Sequence, residues 1–181
     1  MSFQTSKGNA PARKKAESNH SNVITAVVPT EIAEVRTDIL ANNRSLFSRK
    51  DFAAGEIISE FGWRAMYSAP SYLTVQLSET EHVELFPEYL ECINHSCEPN
   101  CFFDTASLQL VALRPIKVGD ELGFFYPSAE WDMDQSFECN CGTKNCVGSI
   151  QGAKYLTDAQ LRKYRFTDFI QQKLASKSWY E

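Results

Sequence analysis

Three cysteines fall within eight residues of this chain, at Cys139, Cys141 and Cys146, and their spacing restricts the local fold more than any other feature. Gly142 and Asn145 lie between them, and both residue types let a backbone turn tightly. Three thiolates at this spacing can bind one Zn2+ ion, but a closed tetrahedral site needs a fourth donor. The sequence offers four candidates for that donor: Cys92, His95, Cys97 and Cys101. We therefore expect a metal to order the loop near residue 145 and to tie it to a distant segment.

All four candidates come from one polar segment, Glu91 to Cys101, which reads Glu-Cys-Ile-Asn-His-Ser-Cys-Glu-Pro-Asn-Cys. Pro99-Asn100 is typical of a turn. The packing of a strand does not require the polar run Asn94-His95-Ser96. This segment is therefore either a loop in water or a functional site.

Length and composition fit one globular domain. The chain has 181 residues, of which 43% are hydrophobic, so it can bury a core of its own. The net charge of −5 argues against direct nucleic-acid binding, which usually needs a basic surface. Residues 79–91 and 120–138 carry many carboxylates and no Lys or Arg. Each window is either a solvated acidic face or part of a surface that attracts a cationic ligand.

The sequence predicts an intracellular soluble protein, without distinguishing cytoplasm from nucleus. No apolar run approaches the roughly 18 residues that span a bilayer. The first residues, Met-Ser-Phe-Gln-Thr-Ser, lack the basic and apolar parts of a secretory signal. Six unevenly spaced cysteines in such a chain indicate metal ligands rather than a disulfide framework.

Short apolar runs separated by Gly, Asn and Pro begin at Val23 and predict a mainly β domain with short helices. Residues 1–22 have almost nothing to bury, so we expect a disordered tail there. Apolar and polar residues alternate over Tyr72–Leu77, and this pattern predicts a half-buried strand.

The C-terminal pattern predicts one helix from Thr157 to Leu174. Thr157 is a suitable N-cap, and Asp158 follows it in the first turn, where the helix dipole favours a negative charge. The apolar residues Leu161, Tyr164, Ile170 and Leu174 fall near one face, with Phe169 beside them. We expect this stripe to dock on the rest of the domain.

Four motifs, in order, resemble those of SET-domain protein lysine methyltransferases with a post-SET zinc segment, of the compact stand-alone type. Asn94–Asn100 is similar to the family's Asn-His-Ser-Cys-x-Pro-Asn, and Asp120–Tyr126 is similar to its Glu-Leu-x-Phe-x-Tyr element. Phe137–Gly148 resembles the post-SET cysteine segment, and Arg44–Ile58 resembles the N-terminal SET strands. The resemblance covers roughly residues 31–150.

This resemblance implies a fold of several small sheets around a pseudo-knot, followed by a C-terminal helix. The segment at Asn94 would pass beneath a loop that holds Tyr126, and Cys97 would be the fourth ligand of a structural Zn2+ with Cys139, Cys141 and Cys146. The implied organisation is a tail at 1–22, the SET domain at 23–135, a post-SET zinc loop at 136–150 and a helical extension at 151–181.

The implied activity is methyl transfer from S-adenosylmethionine to the side-chain amine of lysine in a histone or another basic protein. The ammonium form of lysine has no lone pair, so the amine must lose a proton before it attacks. The alternative is a non-catalytic SET-like module that binds a basic peptide. Neither hypothesis involves a membrane or direct binding of nucleic acid.

The resemblance also assigns residue roles. Tyr126 would supply the essential hydroxyl, and Phe124 and Tyr72 would line the substrate channel, with Tyr67 as another candidate. The residues assigned to the cofactor are Asn94 for its amino-acid end, the His95 backbone and Phe137 for its adenine, and Arg44 and Ser45. Two positions depart from the family pattern: Asn43-Arg44-Ser45 replaces Gly-x-Gly, and Phe61-Gly62 replaces Tyr-x-Gly.

Overall fold

The computed structural model of the protein describes residues 23–26, 31–38 and 40–177. The predicted N-terminal tail, 1–22, lies outside the described residues. Most elements of the described part are short strands, and helices are few. The predicted fold class, mainly β with several small sheets and a C-terminal helix, is therefore confirmed.

The strands of the described residues are numbered in chain order. They are β1 (Val23–Ala26), β2 (Ala33–Asp38), β3 (Asn43–Ser48), β4 (Ile57–Glu60), β5 (Gly62–Tyr67), β6 (Thr74–Gln76), β7 (His82–Phe86), β8 (Asn94–His95), β9 (Cys101–Asp104), β10 (Gln109–Ala112), β11 (Gly123–Phe124), β12 (Phe137–Glu138) and β13 (Ser149–Ile150). The helices are α1 (Asp158–Leu161) and α2 (Asp168–Lys177), and short 3-10 turns cover Glu88–Cys92, Tyr126–Ser128 and Ala153–Tyr155.

These strands form three-stranded sheets in the orders β1-β2-β3, β4-β10-β9 and β5-β7-β6, and two-stranded pairs β8-β11 and β12-β13. The three-stranded sheets are antiparallel, whereas β8 and β11 run parallel. Apolar side chains from the three larger sheets fill one central core, which includes Leu46, Leu85, Phe103, Leu110 and Leu122.

The parallel pair β8-β11 brings together segments almost thirty residues apart, and Asn100 holds them. The Asn100 side chain donates to the Glu121 carbonyl at 2.8 Å and accepts from the Gly123 backbone N–H at 2.9 Å. The contact is close enough that a Cβ on Gly123 would stand 2.9 Å from the Cβ of Ser96. Glycine at position 123 thus lets the polar segment lie directly against β11.

Strand β6 differs from its prediction. Alternation over Tyr72–Leu77 predicts a half-buried strand, but the strand covers only Thr74–Gln76 and all three residues are buried. The prediction was wrong because the residues that follow the 3-10 turn at Tyr126–Ser128 cover β6. The Gln76 N–H donates to a Glu130 carboxylate oxygen at 3.0 Å, and the Trp131 N–H donates to the Gln76 side chain at 3.0 Å.

The predicted single helix from Thr157 to Leu174 is also wrong, because it is broken between α1 and α2. Thr157 does cap α1, in a reciprocal capping box with Gln160. Beyond α1, the ring of Tyr164 stacks on Phe125 with a centroid distance of 3.7 Å, and the Thr167 N–H donates to the Ser128 carbonyl. These contacts with the Tyr126 turn redirect the chain.

The predicted docking stripe is nevertheless present. The C-terminal segment packs on Phe125 and Ala153 in a second apolar cluster that includes Leu161, Tyr164, Phe166, Phe169, Ile170 and Leu174. Within the described ranges, no helix has the length and apolar character needed to cross a membrane.

Candidate active site and four-cysteine cluster

Tyr126 lies two residues after the end of β11, at the start of the 3-10 turn Tyr126–Ser128, here the Tyr126 turn. Its hydroxyl donates to the Ile93 carbonyl at 3.2 Å, and its backbone N–H donates to His95 Nδ1 at 3.3 Å. Burial raises the pKa of Tyr126 to about 12. The hydroxyl therefore stays protonated near neutral pH and can donate a hydrogen bond.

His95 connects Tyr126 to the cysteines. Because Nδ1 accepts the Tyr126 N–H, the ring hydrogen lies on Nε2, which is 3.3 Å from Cys97 Sγ. Burial lowers the pKa of His95 to about 4, so the ring is neutral at pH 7. Aromatic rings of Phe125, Tyr126 and Phe137 surround it at centroid distances of 5.3 to 5.6 Å. The neutral ring of His95 thus links Tyr126 to Cys97. Through Cys97 it also contacts the loop that carries Cys139, Cys141 and Cys146, here the cysteine loop.

A cavity of about 280 Å³, here the Tyr126 cavity, opens beside this turn. Phe124 is buried on its wall, with its ring 4.7 Å from that of Tyr126, and Tyr72 is 72% exposed at its mouth. Tyr67 does not line it. Other lining residues are Ser71, Leu73, Thr74, Val75, Leu85, Leu90, Glu91, Ile93, Phe103, Glu130, Met133, Asp134, Gln135, Ser136 and Phe137. The structure therefore gathers Tyr126, Phe124, Tyr72 and Phe137 around one largely apolar space.

Asn94 brings together the predicted cofactor residues of β3 and β8. Its side-chain amide donates to the Arg44 carbonyl at 3.0 Å, to Ser45 Oγ at 2.8 Å and to Glu121 Oε1 at 3.2 Å. Three acceptors share the two hydrogens of this amide. The side chain of Asn94 therefore fixes where the edge of the first sheet meets the polar segment.

A second cavity, here the Asn94 cavity, has a volume of about 410 Å³. Its lining includes Asn94, His95, Ser96, Glu98, Asn100, Arg114, Glu121, Leu122, Gly123, Cys141 and Thr143. This cavity lies between the polar segment and the cysteine loop. The Asn94-His95 pair thus faces a space that the cysteine loop helps to close.

Cys97 meets the three cysteines of the loop. The Sγ atoms of Cys97, Cys139, Cys141 and Cys146 all lie within 4.8 Å of one another, and those of Cys97 and Cys139 are 3.8 Å apart. Zn–S bonds of about 2.3 Å in a tetrahedron place sulfurs roughly 3.8 Å apart. Cys92 and Cys101, the other candidate thiols, do not belong to this group. The cluster can therefore hold one Zn2+ with all four positions filled by protein.

The surroundings of Cys97 fit a metal-bound thiolate. The Val147 N–H donates to Cys97 Sγ at 3.4 Å, and His95 Nε2–H points at the same sulfur. Burial raises the pKa of the Cys97 thiol, so a free thiolate is unfavourable there. A divalent cation reverses that preference, and two N–H donors then stabilise the charged sulfur.

Tyr164 is a site contact that the sequence analysis did not identify. Its ring stacks on Phe125, and its hydroxyl donates to the Cys97 carbonyl at 3.1 Å. The predicted docking stripe includes Tyr164, but nothing in the pattern names a partner 67 positions away. The C-terminal segment thereby supports the backbone of Cys97.

Glu130 and Glu91 are the other residues that the analysis of the sequence missed, because both were grouped within acidic windows. Glu130 is 7% exposed, and the side chain of Glu91 is 6% exposed. Glu91 pairs with Arg64 at 3.0 Å, whereas Glu130 accepts only the Gln76 N–H among the described contacts. The flanking Ala129 and Trp131 are the sequence signal for burial of Glu130.

Comparison with known proteins agrees with this geometry. A family model described as SET domain matches residues 43–127, which include Asn94, Cys97 and Tyr126. The protein "Methyltransferase flvH" of Aspergillus flavus is 35% identical over 149 residues, covering 81% of this chain and 82% of the relative. The chain belongs to the SET-domain family. It is therefore a methyltransferase, and the SET-domain family predicted from its motifs is confirmed.

Two further relatives of this SET-domain chain are much longer proteins. "Histone-lysine N-methyltransferase 2B" of Homo sapiens is 26% identical over 126 residues, which are 58% of this chain and 5% of the relative. "Histone-lysine N-methyltransferase, H3 lysine-36 specific" of Chaetomium globosum is 40% identical over 65 residues, which are 33% of this chain and 7% of the relative. This chain thus corresponds to a small part of each.

Proposed function

We propose that this SET-domain methyltransferase transfers a methyl group from S-adenosylmethionine to the side-chain amine of lysine in a protein substrate. The observation that carries the proposal is the partly buried, protonated hydroxyl of Tyr126 beside a largely apolar cavity of about 280 Å³. An extended aliphatic side chain that ends in an amine fits the shape and polarity of such a space.

The apolar wall of the Tyr126 cavity favours the reactive form of the amine. The pKa of a lysine side chain in water is about 10.4, and a desolvated site disfavours its charged form. Phe103, Phe124 and Ile93 line the wall, and the Tyr126 hydroxyl is a fixed polar group among them. The hydroxyl orients the nitrogen, and such alignment can supply several kcal/mol of the barrier reduction.

The cofactor assignments fit two chemically different surfaces next to His95. Arg44 is exposed, and its backbone carbonyl accepts a hydrogen bond from Asn94. The Arg44 side chain can therefore pair with the carboxylate at the amino-acid end of the cofactor. Phe137 is 38% exposed and packs edge-on against His95, which leaves aromatic surface for a nucleobase. When bound, S-adenosylmethionine supplies an activated methyl group on a sulfonium.

We further propose that Cys97, Cys139, Cys141 and Cys146 bind a structural Zn2+. With four thiolate ligands the ion has no open position for catalysis. Its effect is to hold Phe137 and the loop beside His95, because β12 directly precedes the first loop cysteine.

Charge and shape favour a basic substrate. Asp134 lines the Tyr126 cavity and is exposed, and the chain carries a net charge of −5. These charges attract a cationic peptide rather than nucleic acid. On the cavity wall, Phe124 has no hydroxyl to hold a water molecule, which leaves room for an amine that already bears methyl groups.

The test is methyl transfer detected by mass spectrometry. Zinc-loaded protein is incubated with isotopically labelled S-adenosylmethionine and a panel of basic proteins that includes histones and the chain itself. We expect labelled methyl groups on lysine side chains. Tyr126→Phe keeps the ring but removes the hydroxyl, and should lower the initial rate at least about 100-fold through misalignment.

The alternative, a non-catalytic module that binds a basic peptide, rests on Asn43-Arg44-Ser45 in place of the family's glycines. All three residues carry side chains at the edge where the cofactor would approach. Peptide binding without any labelled lysine on the whole panel would favour that alternative and contradict the proposed activity.

A further inference from the structure

Glu130 is a buried carboxyl group with little to neutralise it. Its residue is 7% exposed, and one of its oxygens accepts the Gln76 N–H at 3.0 Å. No ion pair to Glu130 occurs within the part of the chain that the structure describes. A buried charge without a partner is costly, so such a group usually serves a ligand or a reaction.

The position of Glu130 connects it to the reacting groups. Its backbone N–H donates to the Tyr126 carbonyl at 3.1 Å, so one tight turn fixes both residues. Both line the Tyr126 cavity. Glu91 also lines this cavity, but it is already paired with Arg64. Glu130 is therefore the buried, uncompensated carboxyl group of the space where the amine is expected.

We propose that Glu130 receives the cationic amine of the substrate and accepts its proton before methyl transfer. This inference rests on the proposed function, because it needs an amine in the Tyr126 cavity. It adds a residue with a direct role in the reaction that the sequence motifs do not include.

The proposed step is a single proton transfer. The N–H bond of the ammonium breaks, an O–H bond forms on the Glu130 carboxylate, and the electron pair stays on nitrogen. The amine becomes neutral with a free lone pair, and the carboxyl group becomes neutral as well. After the methylated product leaves, the proton passes to water through the mouth of the cavity, near exposed Tyr72.

The electrostatic surroundings agree with an acceptor near neutral pH. Burial raises the pKa of Glu130 to about 8, against the opposing effect of the Gln76 N–H. That value lies closer to the pKa of an amine than an exposed carboxyl would, so less free energy is needed for the transfer. The other titratable groups on the cavity wall are Tyr72, Glu91, Tyr126 and Asp134. His82 does not line the cavity but lies on β7, opposite Gln76.

The test uses the full chain and Glu130→Gln, whose amide oxygen can still accept the Gln76 N–H. Glu88→Gln is the matched control, since it removes a carboxyl that pairs with Arg64 and does not line the cavity. The first readout is binding of n-butylammonium, followed by NMR, because it carries the head group of lysine without a protein. The measurement is made at about pH 9, where Glu130 is ionised and the ammonium is still charged. We expect wild type and Glu88→Gln to bind it within about twofold of each other, and Glu130→Gln to bind it at least about tenfold more weakly.

The second readout is the pH dependence of kcat for methyl transfer. For wild type, kcat should rise with an apparent pKa near that of Glu130 and then level off. Glu130→Gln should be about 100-fold slower at pH 7. Its rate should approach that of wild type above pH 10, where the amine is deprotonated by solvent. A purely structural role predicts the same reduction at every pH.

Each outcome decides one question. Equal binding of n-butylammonium by wild type and Glu130→Gln, or no binding by wild type, overturns the role of Glu130. Absence of methyl transfer by wild type contradicts the proposed function, while n-butylammonium binding still decides whether Glu130 receives an ammonium. If Glu130→Gln does not fold, Glu130→Leu replaces it, because leucine is similar in size and carries no carboxyl group, and unchanged binding and pH profile there overturn the inference.

Discussion

Asn100 shows how one side chain can hold a site together. Its amide satisfies the Glu121 carbonyl and the Gly123 N–H, and the residue is 4% exposed. The contact fixes the polar segment against β11, which carries Phe124 and precedes Tyr126. The hydrogen bonds of Asn100 therefore help to place Tyr126, together with its own hydrogen bonds to Ile93 and His95.

Asn100→Ala should lower the free energy of unfolding by about 2–4 kcal/mol, because two backbone groups lose a buried partner. The measurement is denaturant unfolding of zinc-loaded protein. Asn145→Ala is the control, since Asn145 is exposed and makes only a 3.5 Å contact with Glu98. Equal stability of the two variants would show that Asn100 does not clasp the segment.

At the scale of elements, the cysteine loop depends on a residue from another segment. Cys97→Ser should abolish stoichiometric binding of one Zn2+, because a hydroxyl replaces one of four thiolates. Amide hydrogen exchange should then accelerate between residues 139 and 147, since structural zinc supplies on the order of 10 kcal/mol to local folding.

Cys92→Ala provides the control for that experiment. Cys92 is buried but lies outside the four-cysteine cluster. It should retain one equivalent of zinc by elemental analysis. Retention of zinc by Cys97→Ser, with unchanged exchange in the loop, would contradict the assignment of the ligands.

The C-terminal segment should stabilise the site through Tyr164. Tyr164→Ala removes the stack on Phe125 and should cost about 3 kcal/mol. Tyr164→Phe removes only the bond to the Cys97 carbonyl and should cost about 1 kcal/mol. Thermal unfolding distinguishes the two, and equal shifts of the midpoint would mean that the ring packing contributes nothing.

For the whole molecule, Glu130 gives a distinctive dependence of stability on pH. Its pKa is about 8 in the folded protein, above the ordinary value of 4.5 for a glutamate side chain. Between these values the folded state binds more protons than the unfolded state, so the free energy of unfolding falls as pH rises. The contribution is fully present below the unfolded pKa and is lost as pH rises through about 8.

Chemical unfolding of wild type and Glu130→Gln between pH 6.5 and 8.5 measures this contribution. The difference in stability between wild type and variant should shift in favour of the variant as pH increases. His95 stays neutral in the folded protein across this range, because its pKa is about 4. Its titration in the unfolded state is the same in wild type and Glu130→Gln, so it cancels from the difference. A constant difference across the range would show that Glu130 has an ordinary pKa.

Much of the site could be predicted from sequence because its groups occur in short contiguous motifs. Asn94, His95 and Cys97 lie within four positions, and Phe124 and Tyr126 within three. The periodicity of the C-terminal segment also predicted its docking face, which packs as expected. Local patterns of this kind carry information because each strand or loop presents neighbouring residues together.

The misses share a physical cause, which is contact between residues far apart in sequence. The break between α1 and α2 follows from the stack of Tyr164 on Phe125, and helix propensity does not encode that partner. Burial of β6 follows from the turn that carries Glu130, 54 positions away. Acidic composition likewise concealed Glu130, because a count of charges does not distinguish a solvated carboxylate from a buried one.

The central claim is that distant segments, joined through Asn94, His95 and the four cysteines, form a site for a methyl donor next to Tyr126. Calorimetric titration of S-adenosylmethionine into zinc-loaded protein tests it most directly. We predict saturable binding with one equivalent per chain. The absence of detectable binding by zinc-loaded, folded protein would contradict the account.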